Sequence, residues 1–194
     1  MTTLKSISVF TGANKGSHPN YSHAAQSLGK ALVKQDITLI YGGGNIGLMG
    51  VLADSVLNAG GRVIGVIPEF LVAKEVAHQG LTELIIVNSM HERKAKMMEL
   101  SDAFIAMSGG WGTLDELFEV LTWSQLGLHH SPCGLLNIAG YFGYLLEFLE
   151  HSVAQGFLRS EHLESLLVEE KPERLLQALS NYHAPTIEKW IDRV

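Results

Sequence analysis

The sequence predicts an α/β fold, a doubly wound parallel sheet flanked by helices and built as a single domain over residues 1–194. Three observations predict it. Short β-branched runs alternate with segments of helical periodicity throughout, the pattern of parallel strands joined by right-handed crossover helices. Hydrophobic residues make up 46% of the chain and charged residues 18%, which suits a packed core and excludes a disordered chain. No internal repeat, low-complexity tract or linker interrupts the alternation.

The first strand is predicted over 6–11. A helix follows, in which Tyr21, Ala25, Leu28 and Leu32 recur at spacings of three and four and Pro19 stands where a first-turn proline belongs. Strands are then expected over 38–41, 62–67, 84–87, 103–107, 133–137 and 165–168. Helices are expected over 47–59, 90–100, 114–125, 141–154 and 172–180, with the tail after Asn181 loosely attached.

Charge and composition narrow the function classes. A net charge of −6 gives no bulk attraction to nucleic acid or anionic membrane, so a phosphate-bearing ligand needs a local positive site. Cys133 is the single cysteine, which permits no internal disulfide. The nine histidines are scattered without zinc spacing, and the adjacent His129 and His130 cannot share one helix face. No metal is expected. The N-terminus has no signal-peptide pattern and no run approaches the ~18 apolar residues of a membrane span. A cytoplasmic protein is expected.

In a doubly wound sheet, ligands bind beyond the carboxyl ends of the strands. Four turns there are unusual. The first, after strand 6–11, reads Gly12-Ala13-Asn14-Lys15-Gly16-Ser17 and is equally readable as an ordinary strand-to-helix turn. The second, after 38–41, carries Gly42, Gly43, Gly44 and Gly47; it fits G-x-G-x-x-G, yet lies on the second strand rather than the first. We read it as a close-approach loop, for phosphate or for helix–sheet packing, without assuming a dinucleotide. The third opens a helix: Ser89 and Glu92 make a capping box, followed by Arg93 and Lys94 in or near the first turn. Cations there oppose the helix dipole, a conflict that a bound anion would remove and that nearby carboxylates would also relieve. The fourth follows the apolar strand 103–107 and reads Ser108-Gly109-Gly110-Trp111-Gly112-Thr113-Leu114-Asp115-Glu116. Its glycines expose peptide N–H groups before a helix, an anion site. Thr113 is expected to cap that helix with Glu116 as its capping-box partner, which divides Glu116 between a capping and a catalytic role. The helix is apolar on more than one side: Leu114, Leu117, Phe118 and Leu121 form a stripe, while Val120 and Trp123 point elsewhere. Either loops of the same chain or a second subunit must cover the extra surface.

Three segments together, Gly42–Gly50 (GGGNIGLMG), Met90–Lys94 (MHERK) and Gly109–Glu116 (GGWGTLDE), resemble the LONELY GUY family of cytokinin riboside 5′-monophosphate phosphoribohydrolases, long mislabelled lysine decarboxylases. The resemblance runs from about Val9 to about Tyr141. It implies a Rossmann-like sheet, a homodimer, and hydrolysis of adenosine 5′-monophosphate, plain or N6-substituted, to free base and ribose 5-phosphate. It implies a catalytic pair, Arg93 and Glu116. It implies substrate contacts from Glu75, Arg93 and Lys94, from Gly109, Gly110, Trp111, Gly112, Thr113, Leu114, Asp115 and Glu116, and from Thr122. Two positions depart from the family pattern. Ser108 stands where proline usually opens the glycine loop, and Ala13 replaces a serine in the first turn.

The chemistry these residues suggest needs no metal or organic cofactor. Cleaving a glycosidic bond builds positive charge on the ribose, which the Glu116 carboxylate can stabilise while orienting water. Phosphate on the N–H groups of Gly110–Thr113 would position the ribose, and Arg93 would hold phosphate or ribose, or position Glu116. Glu75 would read a ribose hydroxyl or the base. Three alternatives stay in view: a nucleotide or phosphorylated-cofactor binder without catalysis, a nicotinamide-dependent oxidoreductase, and a pyridoxal-phosphate lysine decarboxylase. The last is disfavoured because the chain is short and Lys94 has no evident ring-nitrogen partner.

Overall fold

The computed structural model describes residues 3–72, 74 and 77–184. Seven parallel strands form one sheet: β1 (Ser6–Phe10), β2 (Thr38–Tyr41), β3 (Val63–Pro68), β4 (Glu83–Val87), β5 (Ala103–Ala106), β6 (Cys133–Leu136) and β7 (Leu166–Glu169). Their spatial order is β4-β3-β2-β1-β5-β6-β7. The chain steps outward from β1 to β4, then returns to the other side of β1 to lay down β5. The reversal makes the β1–β5 junction the topological switch point, where loops leaving adjacent strands diverge and open a crevice.

The strands are apolar on both faces, as a sheet covered on both sides requires. Along β1, Ile7 and Val9 join one core cluster and Phe10 joins the other; along β5, Ala103 and Ile105 separate from Phe104 and Ala106 in the same way. The first cluster is closed by α1 (Pro19–Lys34), α2 (Gly47–Asn58) and the last helix, α8 (Pro172–Ser180). The second is closed by α4 (Met90–Glu99), α5 (Trp111–Gln125) and α6 (Gly143–Ala154). Among the described residues no helix is long and apolar enough to cross a membrane.

All seven expected strands form, within one or two residues at each end. Two short helices arise that the periodicity does not show, α3 (Glu69–Val72) and α7 (Ser160–Glu164), along with a 3-10 turn, Ile138–Gly140. One difference matters for function. Helix α5 begins at Trp111, three residues before the expected 114, with Gly110 as its N-cap. Residues 185–194, most of the expected loose tail, lie outside the described residues.

Candidate active site

At the switch point the loops after β1, β2 and β5 and the first turns of α4 and α5 enclose a cleft of about 240 Å³. Its lining includes Thr11, Gly12, Asn14, Gly42, Arg93 and Glu116, with Gly110, Trp111, Gly112 and Thr113 along the α5 edge. A second lobe of about 150 Å³ shares Gly12, Ala13, Asn14 and Gly110 with it and runs on past Tyr21 and Tyr141. One main-chain and one side-chain hydrogen bond join the β1 and β5 loops. Gly12 N–H donates to the Ser108 carbonyl at 3.1 Å, and the Thr11 hydroxyl donates to the same oxygen at 3.2 Å.

Arg93 enters from α4. Ser89 caps that helix, its hydroxyl accepting from Glu92 N–H at 3.1 Å. The Glu92 carboxylate reaches one residue further back than a capping box prescribes, to Asn88 N–H at 2.8 Å. Arg93 is only 5% exposed. Its Nε donates to the Val66 carbonyl at 3.1 Å and a terminal nitrogen donates to the Gly42 carbonyl at 2.9 Å, which clamps the guanidinium to the ends of β2 and β3. Nη1 also meets Met90 Sδ at 3.7 Å; guanidinium carries five N–H donors, so not all are taken by these contacts, and the side chain lines the cleft.

The glycine loop after β2 now has an explanation. A methyl group at Gly42 would sit 1.9 Å from the Arg93 terminal nitrogen, and one at Gly47 would sit 2.1 Å from the Ala13 carbonyl carbon. Gly43 and Gly47 also hold φ of +77° and +63°. The close approach is therefore to protein: Gly42 makes room for Arg93, and Gly47 for the β1 turn. The Leu48 N–H in the first turn of α2 donates to the Gly12 carbonyl at 3.0 Å, occupying a donor that a dinucleotide pyrophosphate would need. Of Gly42, Gly43, Gly44 and Gly47, only Gly42 lines the cleft.

The α5 N-terminus is different. Its N-cap, Gly110, has no side chain to donate or accept, so the expected Thr113–Glu116 capping box does not form. Thr113 lies inside the first turn, buried, where its hydroxyl packs against Gly109: a methyl group at Gly109 would come within 2.0 Å of it. Gly110 and Gly112 are poor helix formers, yet the helix starts early: its first bond is Leu114 N–H to the Gly110 carbonyl at 3.1 Å, and the loop before it is fixed by Gly12 N–H on the Ser108 carbonyl and by Gly109 packed against Thr113. The first-turn N–H groups of Trp111, Gly112 and Thr113 consequently have no intrahelical acceptor and border the cleft. With Gly110 as N-cap the capping-box position is Thr113; Glu116 stands three positions further on, half-buried, and lines the same cleft, which removes the capping reading of that residue.

Other expected contacts divide. Lys94 turns away from the cleft: its ammonium bridges Asp115 and Glu119, each at 3.1 Å, and staples α4 to α5. Burial lowers its pKa, but the hydrogen bonds and charges of the two carboxylates outweigh that and raise it. Asp115 serves this staple. Thr122 is exposed and lines a separate apolar cavity of about 210 Å³ among α5, α6 and α7. Glu75 lies outside the described residues. Further along the chain, His78 N–H donates to the Gly43 carbonyl at 3.1 Å and the His78 Nε2 meets Asp54 at 3.0 Å. Sequence reasoning gave Tyr21 only a core role and Tyr141 only a helix start, yet both line the second lobe. The available signal was position: Tyr141 closely follows the carboxyl end of β6, next to the switch point. The Cys133 thiol is buried, with its pKa pushed up to about 12 by burial, and is unsuited to nucleophilic work.

Comparison with known proteins agrees with this architecture. A family model described as possible lysine decarboxylase matches residues 49–179. The chain is 52% identical over 157 residues to a cytokinin riboside 5′-monophosphate phosphoribohydrolase of Rhodococcoides fascians, covering 80% of this chain and 79% of the relative. It is 45% identical over 179 residues to one of Arabidopsis thaliana, covering 92% and 84%. Among solved structures, a molybdenum cofactor binding protein of Rippkaea orientalis matches with a TM-score of 0.66 at 22% identity, over 89% of this chain and 93% of that one. The molybdenum cofactor carrier protein of Chlamydomonas reinhardtii matches with a TM-score of 0.66 at 20% identity, over 90% and 94%. At these identities the two structures establish the shared Rossmann-like fold alone.

Proposed function

The chain belongs to the LONELY GUY family of cytokinin riboside 5′-monophosphate phosphoribohydrolases, and from this premise we propose that it hydrolyses the N-glycosidic bond of adenosine 5′-monophosphate or its N6-substituted forms, releasing free base and ribose 5-phosphate. The observation that carries the reading is one cleft at the switch point lined by the α5 N-terminus, Arg93 and Glu116.

The phosphate rests on the N–H groups at the start of α5, where the helix dipole favours an anion. Arg93, clamped by two carbonyls, supplies fixed positive charge to phosphate or ribose without needing to reorganise. Glu116 faces the anomeric carbon. As the bond to the base nitrogen breaks, its carboxylate stabilises the oxocarbenium-like charge and orients the water that attacks. The bond electrons leave with the base, and water supplies the hydroxyl at the anomeric carbon and a proton. Trp111, 90% exposed at the rim, offers a flat face to the base. Glu75 is assigned to ribose or base recognition, and Thr122 to a contact made only after assembly.

The lysine decarboxylase label finds no support in this site. A lysine that forms a Schiff base needs a lowered pKa, whereas Lys94 is held protonated between two carboxylates. We further propose a cytoplasmic homodimer of one-domain subunits. Leu126, Leu128, Tyr144, Phe148 and Phe157, all at least 61% exposed, lie on or beside α5 and α6, and a second copy is the proposed cover. The test is product analysis after incubation with adenosine 5′-monophosphate, its N6-isopentenyl form and adenosine. Release of base and ribose 5-phosphate from a monophosphate, with adenosine untouched, is expected. No release from any of the three would leave a binding protein and refute the reading.

A further inference from the structure

We propose that Tyr141 is a positioning residue for the phosphate site: its hydroxyl, by holding the Gly109 carbonyl, sets the direction of the Gly110 peptide N–H. The inference rests on the phosphate placement proposed above. The Tyr141 hydroxyl donates to the Gly109 carbonyl oxygen. A trans peptide is planar, with C=O and N–H pointing opposite ways. Fixing the Gly109 oxygen toward Tyr141 therefore fixes the Gly110 N–H away from it, at the residue that caps α5 and lines the cleft.

This peptide needs an external restraint. It lies between two glycines, so no side chain on either flank resists its rotation. Gly109 is confined on one side by Thr113 and the Gly12 nitrogen, but around Gly110 a methyl group would meet nothing within 4 Å. Gly110 is tied on its far side by Leu114 N–H on its own carbonyl, but its Cβ side is open. Tyr141, though 42% exposed, is oriented by its ring contacts. Its ring meets Tyr21 edge-on at 5.8 Å between centroids and Phe142 at 5.0 Å. The turn that delivers it carries Ala139 at φ +53° and Gly140 at φ +69°, closed by Phe142 N–H donating to the Asn137 side chain at 2.8 Å. A left-handed alanine costs free energy, and such strain persists where the surroundings enforce it.

The experiment is Tyr141→Phe in the full chain, which keeps the ring and its contacts and removes only the hydroxyl. Two readouts are taken: the dissociation constant for inorganic phosphate by calorimetry, and kcat and KM with adenosine 5′-monophosphate. The expected result is a rise of about five- to tenfold in both the phosphate Kd and KM, the size of one lost hydrogen bond, with a smaller change in kcat and a near-normal Tm. Asn137→Ala, which loosens the turn while leaving the hydroxyl, should move the same constants in the same direction. A lowered Tm with unchanged Kd and KM would assign Tyr141 a structural role only and overturn the proposal. Wild-type protein that turns over normally while Tyr141→Phe binds phosphate equally well would reject this inference and spare the reaction. Wild-type protein that neither binds phosphate nor turns over would reject both.

Discussion

At the scale of single residues, the site depends on where side chains are missing as much as on where they are present. Arg93 keeps its place because Gly42 has no methyl group to displace it. Gly42→Ala should therefore shift the guanidinium and lower kcat/KM by at least about tenfold, while overpacking costs about 1–3 kcal/mol of stability. Steady-state kinetics beside a denaturant titration checks this, and unchanged kcat/KM would show that Arg93 has room the structure does not reveal. Much at this scale was legible in the sequence. A cation at a helix start is an unfavourable placement and singles out Arg93, whereas an acid at a helix start suits the dipole, so the residues alone leave Glu116 divided between capping and catalysis and only the family resemblance names it catalytic. The role of Gly42 was not legible, because its neighbour Arg93 is 51 residues away and only the fold brings them together. For Lys94 the residues leave a bound anion and nearby carboxylates both open and the resemblance implies a substrate contact; the carboxylates are what it meets, Asp115 and Glu119, because neighbouring helical residues point in different directions.

At the scale of elements, α4 and α5 carry Arg93 and Glu116, and the Lys94 bridge sets the spacing between them. Lys94→Met should lower Tm by a few degrees and lower kcat more than it raises KM, since the helices would still form but hold their two groups less firmly. An unchanged kcat would show that the cleft keeps its geometry without the staple. The segment leaving α5 adds a pH effect. His129 meets the Val120 carbonyl at 2.9 Å and accepts from Ser131 N–H at 3.2 Å, an arrangement made by the neutral ring with Nε2–H donating. Burial, with a smaller push from His130, holds its pKa below the ordinary 6.5 despite the Val120 bond. The unfolded chain thus takes up the proton first. The stabilisation is present above about pH 6.5 and is lost as pH falls through the lower folded value. Tm should therefore drop between pH 7.5 and 5.5, and His129→Gln should shrink that drop; equal acid sensitivity in the two proteins would place the effect elsewhere. The strands were legible at this scale because both faces are apolar and their runs are short. The α5 start was not, because glycines argue against a helix and Thr113 imitates a cap.

At the scale of the whole molecule, strand order decides where chemistry can occur. Alternation in the sequence predicts a parallel sheet but not that β5 returns beside β1, so the crevice became visible only with the order β4-β3-β2-β1-β5-β6-β7. The exposed apolar residues on α5 and α6 bear on assembly. Sedimentation should give a dimer for the native chain and a monomer for Phe148→Asp; a native monomer at micromolar concentration would remove the proposed interface and leave Thr122 without a role. The account as a whole stands on Glu116 acting in the chemistry rather than in the structure. The direct measurement is Glu116→Gln, with the Kd for adenosine 5′-monophosphate and the rate of ribose 5-phosphate release determined on the same preparation. Binding within about threefold of the native protein and kcat reduced by about 10²- to 10⁴-fold is the predicted result. Turnover near the native rate with intact binding would contradict it and move the catalytic role away from Glu116.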